Sequence, residues 1–106
     1  VYPPRIEKVI ESNKLVEACA VVPMNHPYKD VKVPKVYVIM KDGVKLNDQI
    51  IIEIMNNCKE NLDLHHQPFK FTEIDEFPTT KLGKTDYKAL EKMAELDDIK
   101  VKVKRR

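Results

Sequence analysis

An α+β fold is predicted for this chain, with a small three-stranded sheet packed against helices in the order helix, strand, strand, helix, strand, helix. Three features carry that prediction. Apolar residues recur at helical spacing in three segments. Three other segments are short runs rich in Val, Ile, Tyr and Phe, bounded by proline, glycine and charged turns. The length of 106 residues suits one domain with one core, held without metal or disulfide staples.

Pro3 and Pro4 open the first helix, because proline is tolerated in a first turn whose N–H groups lack partners anyway. Ile6, Val9 and Ile10 give that helix a face over about residues 4–13. V-E-A-C-A-V-V over residues 16–22 reads as a buried strand. Residues 23–34 carry three prolines and no period, and read as a loop. V-Y-V-I-M over 36–40 is the strongest strand, stopped by Lys41-Asp42-Gly43. Asn47 is a good N-cap for a helix over about 48–62, where Ile50, Ile54, Cys58 and Leu62 fall on one i, i+4 row. F-K-F-T-E-I over 69–74 is the third strand. A polar loop follows, then a helix over about 86–96 with Tyr87, Leu90, Met93 and Ala94 on its inner stripe. In the last ten residues Ile99, Val101 and Val103 alternate with lysines, so the basic tail is offered as an edge strand or a mobile end.

Composition narrows the function. Hydrophobic residues at 42% and charged residues at 34% fit neither a disordered tail nor a membrane protein. No run approaches the ~20 apolar residues of a bilayer span, and no signal-peptide pattern opens the chain. Gly43 and Gly83 are the two glycines, too few and too far apart for a P-loop or a dinucleotide fingerprint. The net charge of +2 comes from the tail, whose five basic and two acidic residues leave residues 1–96 at −1. A near-neutral body counts against nucleic-acid binding, which needs a basic patch on the fold. A module that binds an anion or nucleic acid through the tail is the reading from a different class. Cys19 and Cys58 lie 39 positions apart outside any C-x-x-C pair and read as buried thiols, which points to a cytoplasmic location.

Self-contained catalytic machinery is not legible. The adjacent His65 and His66 cannot face one metal together from a helix or strand, and no third ligand is spaced to join them. His26 lies in the proline loop and is expected to be solvated. Ser12 is the lone serine, without an elbow motif. The carboxylate runs Asp97-Asp98 and Glu73, Asp75 and Glu76 read as solvated faces. One segment stands apart: F-P-T-T-K-L-G-K over residues 77–84, a polar loop between strand and helix with a glycine just before a lysine.

At these residues the sequence resembles the C-terminal subdomain of the adenylate-forming ligases, such as acyl-CoA synthetases and peptide-synthetase adenylation domains. F-P-T-T-K-L-G-K-T-D-Y-K-A-L is similar to their closing motif, Leu-Pro-(Arg/Lys/Leu)-Thr-x-x-Gly-Lys and the helix after it. V-Y-P-P-R-I-E-K-V-I resembles their (Val/Ile)-x-Pro-x-Glu-Ile-Glu opening, with Arg5 where the family usually has Glu. E-A-C-A-V-V and V-P-K-V-Y-V-I-M-K-D-G resemble their first two strands. H-H-Q-P, ending at Pro68, replaces the Tyr-Lys-(Val/Leu)-Pro of many members. The resemblance covers residues 1–96 and leaves 97–106 as a basic tail.

The resemblance implies an AMP-forming acid–thiol ligase. A carboxylate attacks the α-phosphate of ATP, with its Mg2+, to give an acyl-adenylate. The domain then swings, and the thiol of CoA takes the acyl group; a carrier's phosphopantetheine is the alternative acceptor. Lys84 is implied as the catalytic lysine of the first step, with Pro78 and Gly83 shaping its loop and Thr79 and Thr80 making local backbone bonds. The family's hinge and its large N-terminal domain, which binds ATP and the acid, lie outside these residues. The resemblance therefore implies that this domain alone is inactive and that the missing domain is its partner.

Overall fold

The computed structural model describes the backbone of residues 2–104 and the side chains of residues 2–96. It shows helix α1 (Pro4–Glu11), strands β1 (Val16–Asn25) and β2 (Lys32–Met40), helix α2 (Asp48–Asn61), a single 3-10 turn (Leu64–His66), strand β3 (Lys70–Glu73) and helix α3 (Tyr87–Lys104). This is the α+β order expected. The sheet is mixed, in the order β1-β2-β3: β1 and β2 form an antiparallel hairpin, and β3 lies parallel to β2. A parallel neighbour needs a crossover, and α2 supplies it.

Alternation along the strands divides the core into two layers. Cys19 and Val21 on β1 and Val36 and Val38 on β2 pack against Ile6 and Ile10 of α1 and Ile50, Ile54 and Cys58 of α2. Ala20, Val22 and Met24, with Tyr37 of β2, face Leu90 and Ala94 of α3. A β-bulge between Val16 and Ala18 inserts one residue, which turns Val16 onto the α1/α2 face opposite Met40. Lys35 is buried on the α3 side, where its Nζ donates to Thr72 Oγ1 and lies 5.0 Å from the centroid of the Tyr37 ring.

The helix α2 forms as its sequence directs. Asn47 Oδ1 accepts the Ile50 N–H at 3.0 Å, satisfying one of the free donors of the first turn. At the other end Gln67 Nε2 donates to the carbonyls of Cys58 and Leu62, each at 2.9 Å. The i, i+4 row is buried at Ile50, Ile54 and Cys58, with Leu62 packed on its edge.

Two expectations are corrected. Residues 23–34 are not one loop: β1 runs on to Asn25 and β2 begins at Lys32, with Pro23 opposite Pro34. The His26 N–H donates to the Val31 carbonyl, so by alternation the Pro23–Pro34 pair exchanges no hydrogen bonds, and two missing N–H groups cost the ladder nothing. The tail is not an edge strand, since α3 passes Leu96 and continues to Lys104. No Gly or Pro interrupts residues 87–104, and adding turns to a formed helix is easier than starting a strand. The side chains of 97–104, on which the anion-binding reading of the tail rests, lie outside the described residues.

Candidate functional site

The loop after β3 is built as a hairpin. Its entry is pinned where the Ile74 N–H donates to the Val38 carbonyl at 2.9 Å and where Ile74 and Phe77 pack on the α3-side core. At its neck the Asp86 N–H donates to the Pro78 carbonyl at 2.8 Å, and Thr79 bridges Thr85 in antiparallel fashion. At its tip the Thr80 N–H donates to the Lys84 carbonyl at 2.8 Å, and the Gly83 N–H donates to the Thr80 carbonyl at 2.9 Å. That pair of bonds belongs to a three-residue hairpin loop, whose third residue must take a left-handed backbone. Gly83 does, with φ of +83°. A Cβ at Gly83 would meet nothing within 4 Å, so glycine is required there by conformation and not by space.

The expected site residues are therefore brought together. Pro78 closes the neck, Gly83 makes the turn, and Lys84 follows with its side chain exposed. Thr80 makes a local bond, its Oγ1 accepting the Leu82 N–H at 3.3 Å. The polar loop read from the sequence is a hydrogen-bonded hairpin: its backbone is tied by its own bonds, and the lysine side chain is exposed. Beyond the neck, Asp86 Oδ1 accepts the Ala89 N–H at 3.1 Å and caps α3, which turns inward at Leu90.

Sequence reasoning missed a carboxylate cluster beside this hairpin. Glu7 and Glu11, one turn apart on α1, reach over the outer edge of β1. Glu11 Oε2 accepts the Cys19 N–H at 3.1 Å, and Glu7 Oε2 accepts the Val21 N–H at 3.0 Å. These bonds satisfy edge donors that would otherwise be open to another strand. Glu7 Oε2 also accepts the Tyr87 hydroxyl at 2.8 Å. Burial, and then the hydrogen bond to Glu7, push the Tyr87 phenol well above its ordinary value, so it remains a donor. The i, i+4 spacing of the two glutamates was visible in the sequence, but their targets were not.

Other polar residues have structural tasks. His26 is not simply solvated: its Nδ1 accepts the N–H groups of Tyr28 and Lys29 at 3.0 and 3.2 Å, and its ring lies 4.8 Å from that of Phe69. Glu73 is no solvated face either, since its Oε1 accepts the Leu46 N–H at 3.0 Å. His65 is exposed, while the His66 ring meets that of Tyr2 edge-on at 6.3 Å. No group of three or more His, Cys, Asp or Glu side chains suited to a metal occurs among the described residues. Burial raises the thiol of Cys58 to about 11 and that of Cys19 further still. No helix among the described residues is long and apolar enough to cross a membrane.

Comparison with known proteins bears on this site. A search of curated proteins finds no match. Among solved structures, the anthranilate CoA ligase AuaEII in complex with anthranoyl-AMP is similar, with a TM-score of 0.84 and 25% identity over 92% of this chain and 19% of that one. An acyl-CoA synthetase from Brucella canis matches with a TM-score of 0.77 and 23% identity over 94% of this chain and 18% of its own. The amide bond synthetase McbA from Marinactinospora thermotolerans matches with a TM-score of 0.74 and 24% identity over 88% of this chain and 18% of its own. The chain thus spans less than a fifth of the length of these neighbours. The pattern of the family described as AMP-binding enzyme C-terminal domain matches residues 5–84, the stretch that begins on α1 and ends on the hairpin lysine. The chain belongs to this C-terminal domain family of the adenylate-forming ligases.

Proposed function

We propose that this chain serves as the swinging C-terminal domain of an AMP-forming acyl-CoA ligase and supplies Lys84 to the adenylation step. The observation that carries the reading is the exposed Lys84, directly after left-handed Gly83 on a hydrogen-bonded hairpin. In that step a carboxylate oxygen bonds to the α-phosphorus of ATP while the bond to the pyrophosphate oxygen breaks. Negative charge grows on phosphoryl oxygens beside an anionic nucleophile, and an ammonium aimed there stabilises it. ATP with its Mg2+ is held in this reading by the large domain of the enzyme, and the chain contributes the cation. Domain rotation then withdraws the hairpin and lets the CoA thiol attack the acyl carbon, with AMP leaving. The neighbour bound to anthranoyl-AMP is one whose name joins an adenylate to CoA, and this supports the choice of acceptor.

The test separates the half-reactions in the enzyme that carries this domain. Lys84→Ala is expected to slow pyrophosphate exchange by about 10²–10³, the usual cost of one donor at developing charge. Consumption of pre-made acyl-adenylate by CoA is expected to stay within a few-fold of the parent, about the level of Lys81→Ala in both steps. Equal loss in both steps, or none in either, removes Lys84 from this role. Turnover with a phosphopantetheinyl carrier but not with CoA would move the acceptor to the carrier class.

A further inference from the structure

We propose that Glu7 is a positioning residue for Lys84, acting through the hydroxyl of Tyr87; the inference rests on the role given to Lys84 above. One carboxylate oxygen of Glu7 holds two elements at once: the edge of β1 at the Val21 N–H (3.0 Å) and the first turn of α3 at Tyr87 (2.8 Å). Tyr87 lies three residues beyond Lys84 in the chain. The residues between them are not slack, because Thr85 bridges Thr79 and the Asp86 N–H is bonded to the Pro78 carbonyl. A displacement of Tyr87 is therefore carried to the hairpin as a rigid unit, and from it to the lysine.

Glu7 and Tyr87 line one surface cleft of about 270 Å³ together with Tyr2, Pro4, Val21 and Pro23, so the charge-assisted bond ties two walls of that cleft to each other. Its place at the rim separates positioning from stability. Ile6 and Ile10 anchor α1, and Leu90 and Ala94 anchor α3, all at 0% exposure, whereas Tyr87 is 41% exposed. The helices are held by their own core contacts. What the clasp adds is the angle at which α3, and the loop that feeds it, leaves the body.

The experiment uses Tyr87→Phe, Glu7→Gln and Lys84→Ala in the enzyme that carries this domain. Both half-reactions are assayed, and amide hydrogen exchange is read on the same proteins. Because a misplacement of about 1 Å costs on the order of 10²-fold, losing one hydroxyl at the foot of the hairpin is expected to slow adenylation about 10-fold. That loss falls on the maximal rate, with KM for ATP and acid unchanged and thioester formation within about two-fold of the parent. Exchange quickens at Thr80 and Asp86, while the β2 amides keep their protection. Glu7→Gln keeps an acceptor oxygen and restores most of the rate, to within about three-fold of the parent. Unchanged exchange at Thr80 and Asp86 in Tyr87→Phe overturns the inference, and so does equal loss in both half-reactions. Intact adenylation in Tyr87→Phe beside a full loss in Lys84→Ala overturns it while the role of Lys84 stands. No loss in Lys84→Ala overturns that role, and the inference with it.

Discussion

The helix α2 and the hairpin over residues 78–85 differ in every respect that separates stability from chemistry. The inner row of α2 is closed to water, with Ile50, Ile54 and Cys58 at 5, 1 and 0% exposure. At the hairpin tip Lys81, Leu82, Gly83 and Lys84 are all exposed, and Leu82 reaches 85%. Residue identity on α2 is dictated by what must be buried. On the hairpin it is dictated by backbone conformation at Gly83 and, in the proposed role, by the reach of a charge at Lys84. The role proposed for this chain would need this division: a core rigid enough to carry the lysine, and a lysine whose loss leaves the core intact.

The strongest test of the first half of that contrast is Ile54→Ala. Removing a side chain from the middle of the buried row forfeits burial and leaves a cavity, at an expected cost of about 2–5 kcal/mol in denaturant melts. In a domain of this size each kcal/mol lowers Tm by about 4–8 °C. Whatever activity the folded fraction retains should show no preference between the two half-reactions. A neutral Ile54→Ala would mean that α2 does not anchor the fold.

The thiol at the end of that row gives a pH test. An unfolded cysteine ionises near 9.0, whereas folded Cys58 ionises at about 11, because burial disfavours the thiolate. The folded state therefore holds its proton longer than the unfolded state. Stability is fully present below pH 9 and is lost as pH rises through 11, by up to about 2 kcal/mol. Melts at pH 8 and pH 10.5 measure the loss, and Cys58→Ala is expected to reduce it. The same burial predicts that thiol reagents modify Cys58 and Cys19 only as fast as the protein opens.

The two glycines sharpen the comparison further. Gly43 and Gly83 have φ of +80° and +83°, and a Cβ at either would meet nothing within 4 Å. Alanine should therefore cost each turn about 1–2 kcal/mol through backbone strain alone. Gly43 ends the turn after β2 and Gly83 precedes Lys84, so equal strain should have unequal consequences. Gly43→Ala is expected to leave adenylation unchanged, while Gly83→Ala slows it. Equal rates for the two variants would mean that the shape of the hairpin does not matter to the lysine.

What the sequence revealed follows the same line. The helix α2 was legible because burial along an i, i+4 row is a local pattern, and its cap sits one residue away at Asn47. The segment of the hairpin was legible as a polar loop through its glycine–lysine pair and its resemblance to a known motif, whereas its paired form depends on the Thr79–Thr85 bridge. Pro23 and Pro34 misled because tolerance for proline depends on which ladder pair it occupies, and that register is set by the partner strand. The tail misled because alternation over a few residues says little when a formed helix is already running into it. The contact between Glu7 and Tyr87 spans 80 positions, and no local pattern predicts it. Tertiary geometry alone brings the first helix to the foot of the last loop.

The smallest effects are the most exacting. Glu53 adjoins Ile54 in sequence, yet faces solvent because one helical step turns the side chain by about 100°. Lys81 stands on the same hairpin as Lys84 and is also exposed, but it precedes the left-handed turn. Glu53→Ala and Lys81→Ala are each expected to change stability by no more than about 0.5 kcal/mol and to leave both half-reactions intact. A Glu53→Ala loss close to that of Ile54→Ala would mean that the whole helix, and not one face, carries the fold. A Lys81→Ala loss in adenylation close to that of Lys84→Ala would mean that the hairpin acts as a general patch of positive charge. The two outcomes also differ in salt. A diffuse patch weakens as the ionic strength is raised to about 1 M, where screening acts within about 3 Å, while a single ammonium in contact with the phosphoryl oxygens keeps most of its effect.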